Sequence, residues 1–481
     1  MTNQFDRLDA ALGAGLERLV VAHHRRRLRR LSHLDALDAP GGGWALAKAG
    51  FRPTTGNALD VLVDGGAVLP AMADEIESAR EFVWLAGWYF SPDFRLRPGE
   101  PETLREVLAA AAERVDVRVL AWAGSPLPLF HPDRRQLRKV REQLTRGTRV
   151  SVALDDRERP MHCHHEKLVI VDGRVAFVGG IDLTSYDGDR LDRIGHPPRN
   201  GIGWHDGSSR LCGPAVADVA AHFRLRWEEV TGEPLPTPSA PAAAGEIEAQ
   251  VVRTVPERIY RRLSHGDFGI LESYLRALRS AERLVYIENQ FLWSPEIVSV
   301  LAGKLRRPPT DEFRLVALLP VKPNSGREDT RGQLGVLAEA DGGAGRLLAC
   351  TLHQPGPAGT KPAYVHAKIA IVDDRWLSIG SANLNEHSLF NDTEMNVVTH
   401  DTALARTTRI RLWSEHLNCD PGELAGNPAA IIDTRLRPTA TEQLQRRERG
   451  SGLACPLMLL PAVSRRSARL NGPLNGLLVD G

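Results

Sequence analysis

The sequence predicts an α/β protein built from two repeated halves. Three observations carry this expectation. Short apolar runs of strand length alternate with amphipathic helical stretches, a proline-rich break falls near the middle, and one block of sequence occurs twice in the same order of surrounding elements. A chain of 481 residues also exceeds one ordinary hydrophobic core, so two or three units are expected.

Residues 1–60 read as an N-terminal helical arm. Arg25, Arg26, Arg27, Arg29 and Arg30 lie beside Leu19, Val20, Val21, Leu28 and Leu31. Such a basic amphipathic segment can lie on an anionic membrane or dock as a solvated helix on the body, and the docked form is the simpler expectation. The first repeated unit spans 61–232. In it Phe82-Val83-Trp84-Leu85-Ala86 has the length of a buried strand, and Leu104, Val107, Leu108 and Ala111 mark one face of a helix. Val117–Trp122 is a second strand, residues 133–146 form a strongly basic helix, and Val150–Leu154 is a third strand. Four prolines among small residues then make 233–246 a surface linker. The second unit spans 247–434. Residues 435–481 turn polar, then rich in proline and glycine, and read as a loosely attached tail.

The repeat is visible residue by residue. Phe82 to Pro92, a strand running into an aromatic turn with Ser-Pro, parallels Leu284 to Pro295. Helices over 67–80 and 268–281 precede the two blocks. Helix, strand, helix and strand follow each.

Composition narrows the function classes. Hydrophobic residues at 42% and charged residues at 25% suit a soluble globular protein, and a net charge of +1 offers no global field to attract nucleic acid or anionic lipid. Basic surface must therefore be local. Five scattered cysteines make a poor disulfide framework, so a reducing compartment is expected. The first residues are partly acidic and lack an apolar core, unlike a secretory signal, and no run of about 18 apolar residues offers a membrane-crossing helix. The expected location is cytoplasmic, with room for peripheral membrane contact.

The chemistry is carried by a duplicated motif. His165-Glu166-Lys167 leads through Leu168–Val171 to Asp172, with Gly179 seven residues on. His366-Ala367-Lys368 leads through Ile369–Val372 to Asp373, with Gly380 seven residues on. The apolar runs are β-prone, and residues two apart in a strand share a face, so each histidine projects with its lysine. Ser381, Asp182 and Asn383 follow the glycines and offer polar groups beside the pairs. A single His-x-Lys is commonly a solvated strand face. Two copies at one spacing, in matching places of two halves, point to a shared site.

Two histidines and two lysines suit a phosphodiester. The lysines supply compact charge to non-bridging oxygens. One imidazole attacks phosphorus and the other protonates the leaving oxygen, then activates water or alcohol. No metal or other cofactor is required, because the lysines stabilise the developing charge. A nucleophilic imidazole needs its far nitrogen held by an acceptor. Glu394, 28 residues after His366 at the head of a strand, is the candidate for His366, and Asp206, which leads Gly207–Leu211, is its counterpart in the first half. His162, Cys163, His164 and His165 are dense enough to suggest zinc, but no second Cys/His pair lies at a familiar spacing, so a metal site is not expected. Asp187-Gly188-Asp189 lacks the rest of a calcium loop and reads as a turn.

From about Leu62 to Leu417 the chain resembles the phospholipase D superfamily, in which duplicated HxKxxxxD motifs form one active site. His164–Asp172 with Gly179-Gly180-Ile181-Asp182-Leu183 is similar to the true phospholipases of that family. So are Trp204-His205-Asp206, Gly213-Pro214-Ala215, His222-Phe223, Arg226-Trp227, Tyr286–Phe291 and Gly380–Asn385 through Glu394. Gly180 and Asp182 stand where many members have Ser and Asn, which the second half keeps at Ser381 and Asn383.

The resemblance implies two similar α/β/α-sandwich domains with mixed sheets about a pseudo-twofold axis. It implies His165 as nucleophile, His366 as general acid, and Asp172 and Asp373 as structural members of the motif. It implies hydrolysis of glycerophospholipid at a membrane surface to phosphatidate and free head group, and transfer to alcohols. No obligate protein partner is needed, since both motifs lie in one chain. The resemblance does not extend to the lipid-binding modules of eukaryotic phospholipases or the N-terminal membrane helices of bacterial cardiolipin synthases. The alternatives are a cardiolipin synthase-like phosphatidyltransferase, a catalytically dead scaffold that intact His and Lys argue against, and a nucleic-acid phosphodiesterase. The last would use Arg134, Arg135, Arg138, Lys139 and Arg141 on a phosphate backbone, and the low net charge disfavours it. Trp88, Tyr89, Phe291 and Trp293 are candidates either for an exposed interface or for core packing at strand ends.

Overall fold

The computed structural model describes residues 4–46, 50–127, 131–160, 162–184, 196, 201–322 and 327–460. Asp187-Gly188-Asp189 lies outside them. The chain opens with α1 (Gln4–Arg30) and α2 (Leu34–Asp38). The first half follows as β1 (Thr54–Val63), α3 (Gly65–Glu77), β2 (Phe82–Gly87), α4 (Leu104–Ala112), β3 (Asp116–Trp122), α5 (Arg134–Thr145), β4 (Ser151–Asp155), β5 (Leu168–Val171), β6 (Val175–Gly179), β7 (Trp204–His205), β8 (Gly207–Cys212) and α6 (Val216–Thr231). The second half repeats the series. It runs β9 (Ile247–Val255), β10 (Asp267–Phe268), α7 (Gly269–Ser280), β11 (Leu284–Glu288), α8 (Pro295–Arg306), β12 (Arg314–Leu318), α9 (Arg327–Asp341), β13 (Leu347–His353), β14 (Pro362–Val365), β15 (Ile369–Val372), β16 (Trp376–Gly380), β17 (Glu394–Thr399) and α10 (Thr402–Leu417). The chain then adds α11 (Pro428–Ile431), α12 (Arg437–Glu448) and β18 (Leu457–Leu459).

Strand order makes the repeat explicit. The first half pairs as β4-β3-β2-β5-β6-β8-β1 and the second as β13-β12-β11-β15-β16-β17-β9. In each, two crossover connections give a parallel trio and the remaining pairs are antiparallel, so each sheet is mixed as expected. An irregular antiparallel pairing of β1 with β9 joins the two runs at their matching edge strands. The inner faces also meet: Val61 and Val63 of β1 share a cluster with Ile369, Ile371, Leu377 and Ile379, while Leu168 and Ile170 of β5 share one with Val251, Met395 and Val397. Strands buried on both faces explain the continuous apolar runs that replace polar alternation.

Three local features differ from the expectation or refine it. The arm docks on the second half through buried His24, whose Nδ1 lies 2.8 Å from Glu296 Oε1, and buried Arg27, whose Nη2 lies 2.6 Å from Glu257 Oε2. Arg25, Arg26, Arg29 and Arg30 remain on the solvent side. The arm also ends before residue 60, because β1 already begins at Thr54. Past residue 434 the chain packs onto the body, where a loosely attached tail was expected. Arg437 on α12 donates to the Gly345 and Leu347 carbonyls, and β18 pairs with β13. Polar composition hid this because α12 is held mainly by hydrogen bonds. Residues 461–481 lie outside the described residues.

Candidate active site

Each motif begins just before a central strand and is held by the opposite half. His165 N and Glu166 N donate to the Thr393 carbonyl, and His366 N and Ala367 N donate to the His205 carbonyl. The residues after those carbonyls, Glu394 and Asp206, then reach across. Glu394 Oε1 lies 2.9 Å from His165 Nδ1, and Asp206 Oδ2 lies 2.6 Å from His366 Nδ1. The sequence expectation paired Glu394 with His366 and Asp206 with the first half, and the structure exchanges the partners. The reason is geometric: the two sheets meet face to face, so the strand end that lies beside each motif belongs to the other repeat.

The neighbouring small residues fit around these acids. A Cβ at Gly180 would fall 2.2 Å from Asp206 Oδ1, so the carboxylate occupies the place of a side chain. At the matching position Ser381 Oγ donates to Glu394 Oε2, and Ser388 Oγ donates to Oε1 at 2.5 Å. The motif glycines allow equally close approach, since a Cβ at Gly179 would lie 2.4 Å from Ser208 Cα.

The lysines complete the cluster. Lys167 Nζ donates to the His165 carbonyl at 2.6 Å and lies 3.5 Å from Asp182 Oδ2. Lys368 Nζ donates to the His366 carbonyl and, at 3.2 Å, to Gln290 Oε1, which also accepts from Asn383 Nδ2. His165, Lys167, His366 and Lys368 are each 5% exposed or less, so their charges act in a low dielectric. Asp182 Oδ1 and Asn383 Oδ1, at matching positions, are buried without a hydrogen-bond partner among the described residues.

Electrostatics distinguish the members. Burial, with Lys167 and Lys368 nearby, holds His165 down to about 3, so its imidazole is neutral near pH 7. Burial pushes Glu394 up to about 8 against the pull of Lys167, Ser381 and Ser388. Burial and the second lysine bring Lys368 down to about 7, against Asp206 and Glu394.

Asp172 and Asp373 stand at the other ends of β5 and β15. Asp172 accepts from the backbone N–H groups of Arg80, Glu81 and Phe82, and Asp373 accepts from those of Glu282, Arg283 and Leu284. Both have positive φ, 53° and 54°. The aspartates therefore tie the end of each motif strand to the start of its antiparallel neighbour, β2 or β11, and they touch neither histidine.

The resemblance marked His205, His222, Arg226 and Gln290 in the sequence, but not the layers they form behind the site. Arg226, 1% exposed, bridges Asp155 and Glu166, with Tyr260 Oη donating to Asp155 at 2.6 Å. His222 Nε2 lies 2.8 Å from Glu166 Oε2. His205, next to Asp206, sits between Asp64 and Glu288 with ring nitrogens 3.0 and 2.9 Å from their oxygens. Gln290 lies outside the motif itself. Its place in the first half holds Trp88, stacked 6.2 Å from Trp122. Trp88, Phe291 and Trp293 are buried and Tyr89 is half-buried, so these aromatics pack the strand ends. His162 Nδ1 is 3.0 Å from His387 Nδ1, and His164 Nδ1 is 2.6 Å from Thr393 Oγ1.

Comparison with known proteins agrees with this geometry. The family described as cardiolipin synthase, PLD-like domain, matches residues 72–187 and 327–414, ranges that take in the HxKxxxxD motifs of both halves. Phospholipase D A of Dictyostelium discoideum is 25% identical over 75% of this chain and 35% of its own length, and phospholipase D2 of Bos taurus is 24% identical over 73% and 50%. The major cardiolipin synthase ClsA of Bacillus subtilis is 26% identical over 73% of this chain and 67% of its own. The chain thus spans about a third to a half of the phospholipases it matches. A phosphatidylserine synthase from Haemophilus influenzae shares the fold with a TM-score of 0.53 at 12% identity, covering 81% of this chain and 94% of that one. Duplicated motif, paired mixed sheets and these matches together make the chain a member of the phospholipase D superfamily.

Proposed function

We propose that the chain is a phospholipase D-type phosphodiesterase and transphosphatidylase acting on glycerophospholipids. The observation that carries this reading is a neutral, buried His165 whose Nδ1 faces an acceptor and whose surroundings hold lysines from both halves. His165 Nε2 attacks phosphorus and forms the P–N bond as the bond to the head-group oxygen breaks. His366, oriented by Asp206, gives that oxygen its proton and the head group leaves. His366 then takes a proton from water or alcohol, whose oxygen attacks phosphorus, breaks the P–N bond and releases phosphatidate or its ester. Lys167 and Lys368 hold the non-bridging oxygens. The orphaned oxygens of Asp182 and Asn383 can accept hydrogen bonds from substrate hydroxyls.

The similarity to a cardiolipin synthase supports a second reading, phosphatidyl transfer to a lipid hydroxyl by the same chemistry. One experiment separates them. Purified protein is incubated, with and without EDTA, with vesicles of phosphatidylcholine plus ethanol, or of phosphatidylglycerol, and the lipids are read by mass spectrometry beside His165→Ala and His366→Ala. Phosphatidate and phosphatidylethanol from wild type alone support the phospholipase. Cardiolipin from phosphatidylglycerol with neither of those products supports the transferase. No lipid product in either arm defeats both. Among the described residues no helix is long and apolar enough to cross a membrane, so contact with lipid would be made from the surface.

A further inference from the structure

Next to Asp206, the partner of His366, His205 joins Asp64, His196 and Glu415 in a group whose members bring one ligand atom each to within 4.8 Å of one another. Asp64 follows β1, His205 lies on β7 and Glu415 on α10, so the group joins the two halves. Their separations are 3.0 Å for Asp64 Oδ1 to His205 Nδ1, 3.1 Å for Asp64 Oδ2 to His196 Nδ1, 3.3 Å for His196 Nε2 to Glu415 Oε1 and 3.8 Å for His205 Nδ1 to Glu415 Oε1. These contacts use both oxygens of Asp64 and both ring nitrogens of His196, and an ion with bonds of about 2.0–2.1 Å takes one atom from each residue in their place.

Two further observations point to a ligand. Both ring nitrogens of His196 and Oε1 of Glu415 are buried without a properly directed hydrogen bond among the described residues. Asp64 and Glu415 also line a cavity of about 740 Å³ with Gly66, Pro98, Arg411 and Asn418, which gives an entry path. The surroundings have the form of an outer ligand shell. His205 presents Nδ1 to the group while its Nε2 lies 2.9 Å from Glu288 Oε2, and Glu288 also accepts from His416 Nε2 and Tyr286 Oη. A carboxylate on the far nitrogen fixes the ring and raises its basicity as a ligand.

We propose that Asp64, His196, His205 and Glu415 form a binding site for one divalent transition-metal ion of the zinc class. The ion clamps the two halves together and holds the His205-Asp206 segment against His366. Its charge fits the cluster. The two carboxylates of Asp64 and Glu415 balance one dication, and the two imidazoles bind it as neutral ligands. The site is separate from the lysine-stabilised chemistry and its test does not depend on any lipid substrate.

The full chain is dialysed against EDTA and titrated with Zn²⁺ by calorimetry in two buffers of different ionisation enthalpy. Co²⁺ loading is followed by visible absorption. One equivalent bound, a tetrahedral cobalt spectrum, and at least about a tenfold loss of affinity in Glu415→Gln are expected. Glu415 is only partly buried, and circular dichroism confirms that the variant folds. His196→Asn supplies a second loss from the same group. Absence of stoichiometric binding, or unchanged affinity in Glu415→Gln, overturns the proposal. So does an ion that survives Glu415→Gln but is lost in Asp392→Asn, because it would belong to the His162, His387 and Asp392 group instead.

Discussion

His165 and Glu394 lie 229 residues apart in the chain and 2.9 Å apart in space, one from each half. The reciprocal contact between His366 and Asp206 makes the arrangement mutual, so each histidine takes its carboxylate partner from the other half. Glu394→Gln keeps size but replaces one of the two acceptor oxygens, which meet His165, Ser381 and Ser388, with an NH2 donor, and so disturbs the alignment of the His165 ring. By analogy with the loss of an orienting carboxylate elsewhere, kcat falls roughly 10²- to 10⁴-fold with KM little changed. Steady-state kinetics on a soluble phosphodiester checks this. A drop smaller than about threefold would mean that Glu394 does not orient the nucleophile.

Asp172 and Asp373 predict the opposite phenotype. Each accepts from three consecutive backbone N–H groups in a left-handed conformation that alanine tolerates poorly. Asp373→Ala therefore costs about 2–3 kcal/mol of stability, and Asp373→Asn costs less because asparagine keeps the φ preference. Denaturant unfolding measures the loss. The turnover of the remaining folded protein stays within a few-fold, and a catalytic collapse without a stability change contradicts the assignment.

Much of this was legible in the sequence because it is local or repeated. The motif spacing, the strands after it and the βα order depend on period-two patterning over a few residues, and the duplication tells the two motifs to share a site. The exchanged partners were not legible. Glu394 and Asp206 occupy equivalent places, and only the face-to-face meeting of the sheets decides which histidine each one reaches. The contact among Arg226, Asp155 and Glu166 escaped for a related reason: a buried charge cluster looks like surface charge until the fold brings its members together. The aromatic turns were equally ambiguous, since Trp88 and Trp293 read alike on an interface or under a strand end.

The lysines set a pH limit. Lys368 is brought down to about 7 by burial, so the free enzyme loses a phosphate-binding charge as pH rises through that value. The expected alkaline limb of kcat/KM lies near pH 7–8, and Lys368→Arg removes it while lowering the rate, because a guanidinium stays charged. A limb unmoved in that variant assigns the ionisation to another group. Stability runs differently. His165, held down to about 3, binds its proton only in the unfolded chain between pH 6.5 and 3, so stability falls on acidification through that window.

Phe291 is fully buried beside Trp293, with ring centroids 6.0 Å apart. Truncation there removes core volume. Phe291→Ala costs about 3–5 kcal/mol, while association of the folded protein with lipid vesicles is unchanged. Thermal unfolding and vesicle cosedimentation read the two effects separately, and lost cosedimentation with unaltered stability would return the aromatic turn to the surface.

Arg226 gives the sharpest stability prediction. Its guanidinium is fully enclosed and donates to both Asp155 and Glu166, and Glu166 follows His165 directly. Desolvating three charges is costly, and the cluster is favourable only while every partner is present. Arg226→Met leaves two buried carboxylates without their shared cation, at a cost of about 3–5 kcal/mol. Arg226→Lys recovers little of this, because one ammonium cannot span the two acids as a planar fork does. Urea midpoints of the two variants decide the matter. A loss under about 1 kcal/mol in Arg226→Met would mean that water or protonation relieves the acids, and that the layer behind His165 is softer than its geometry implies.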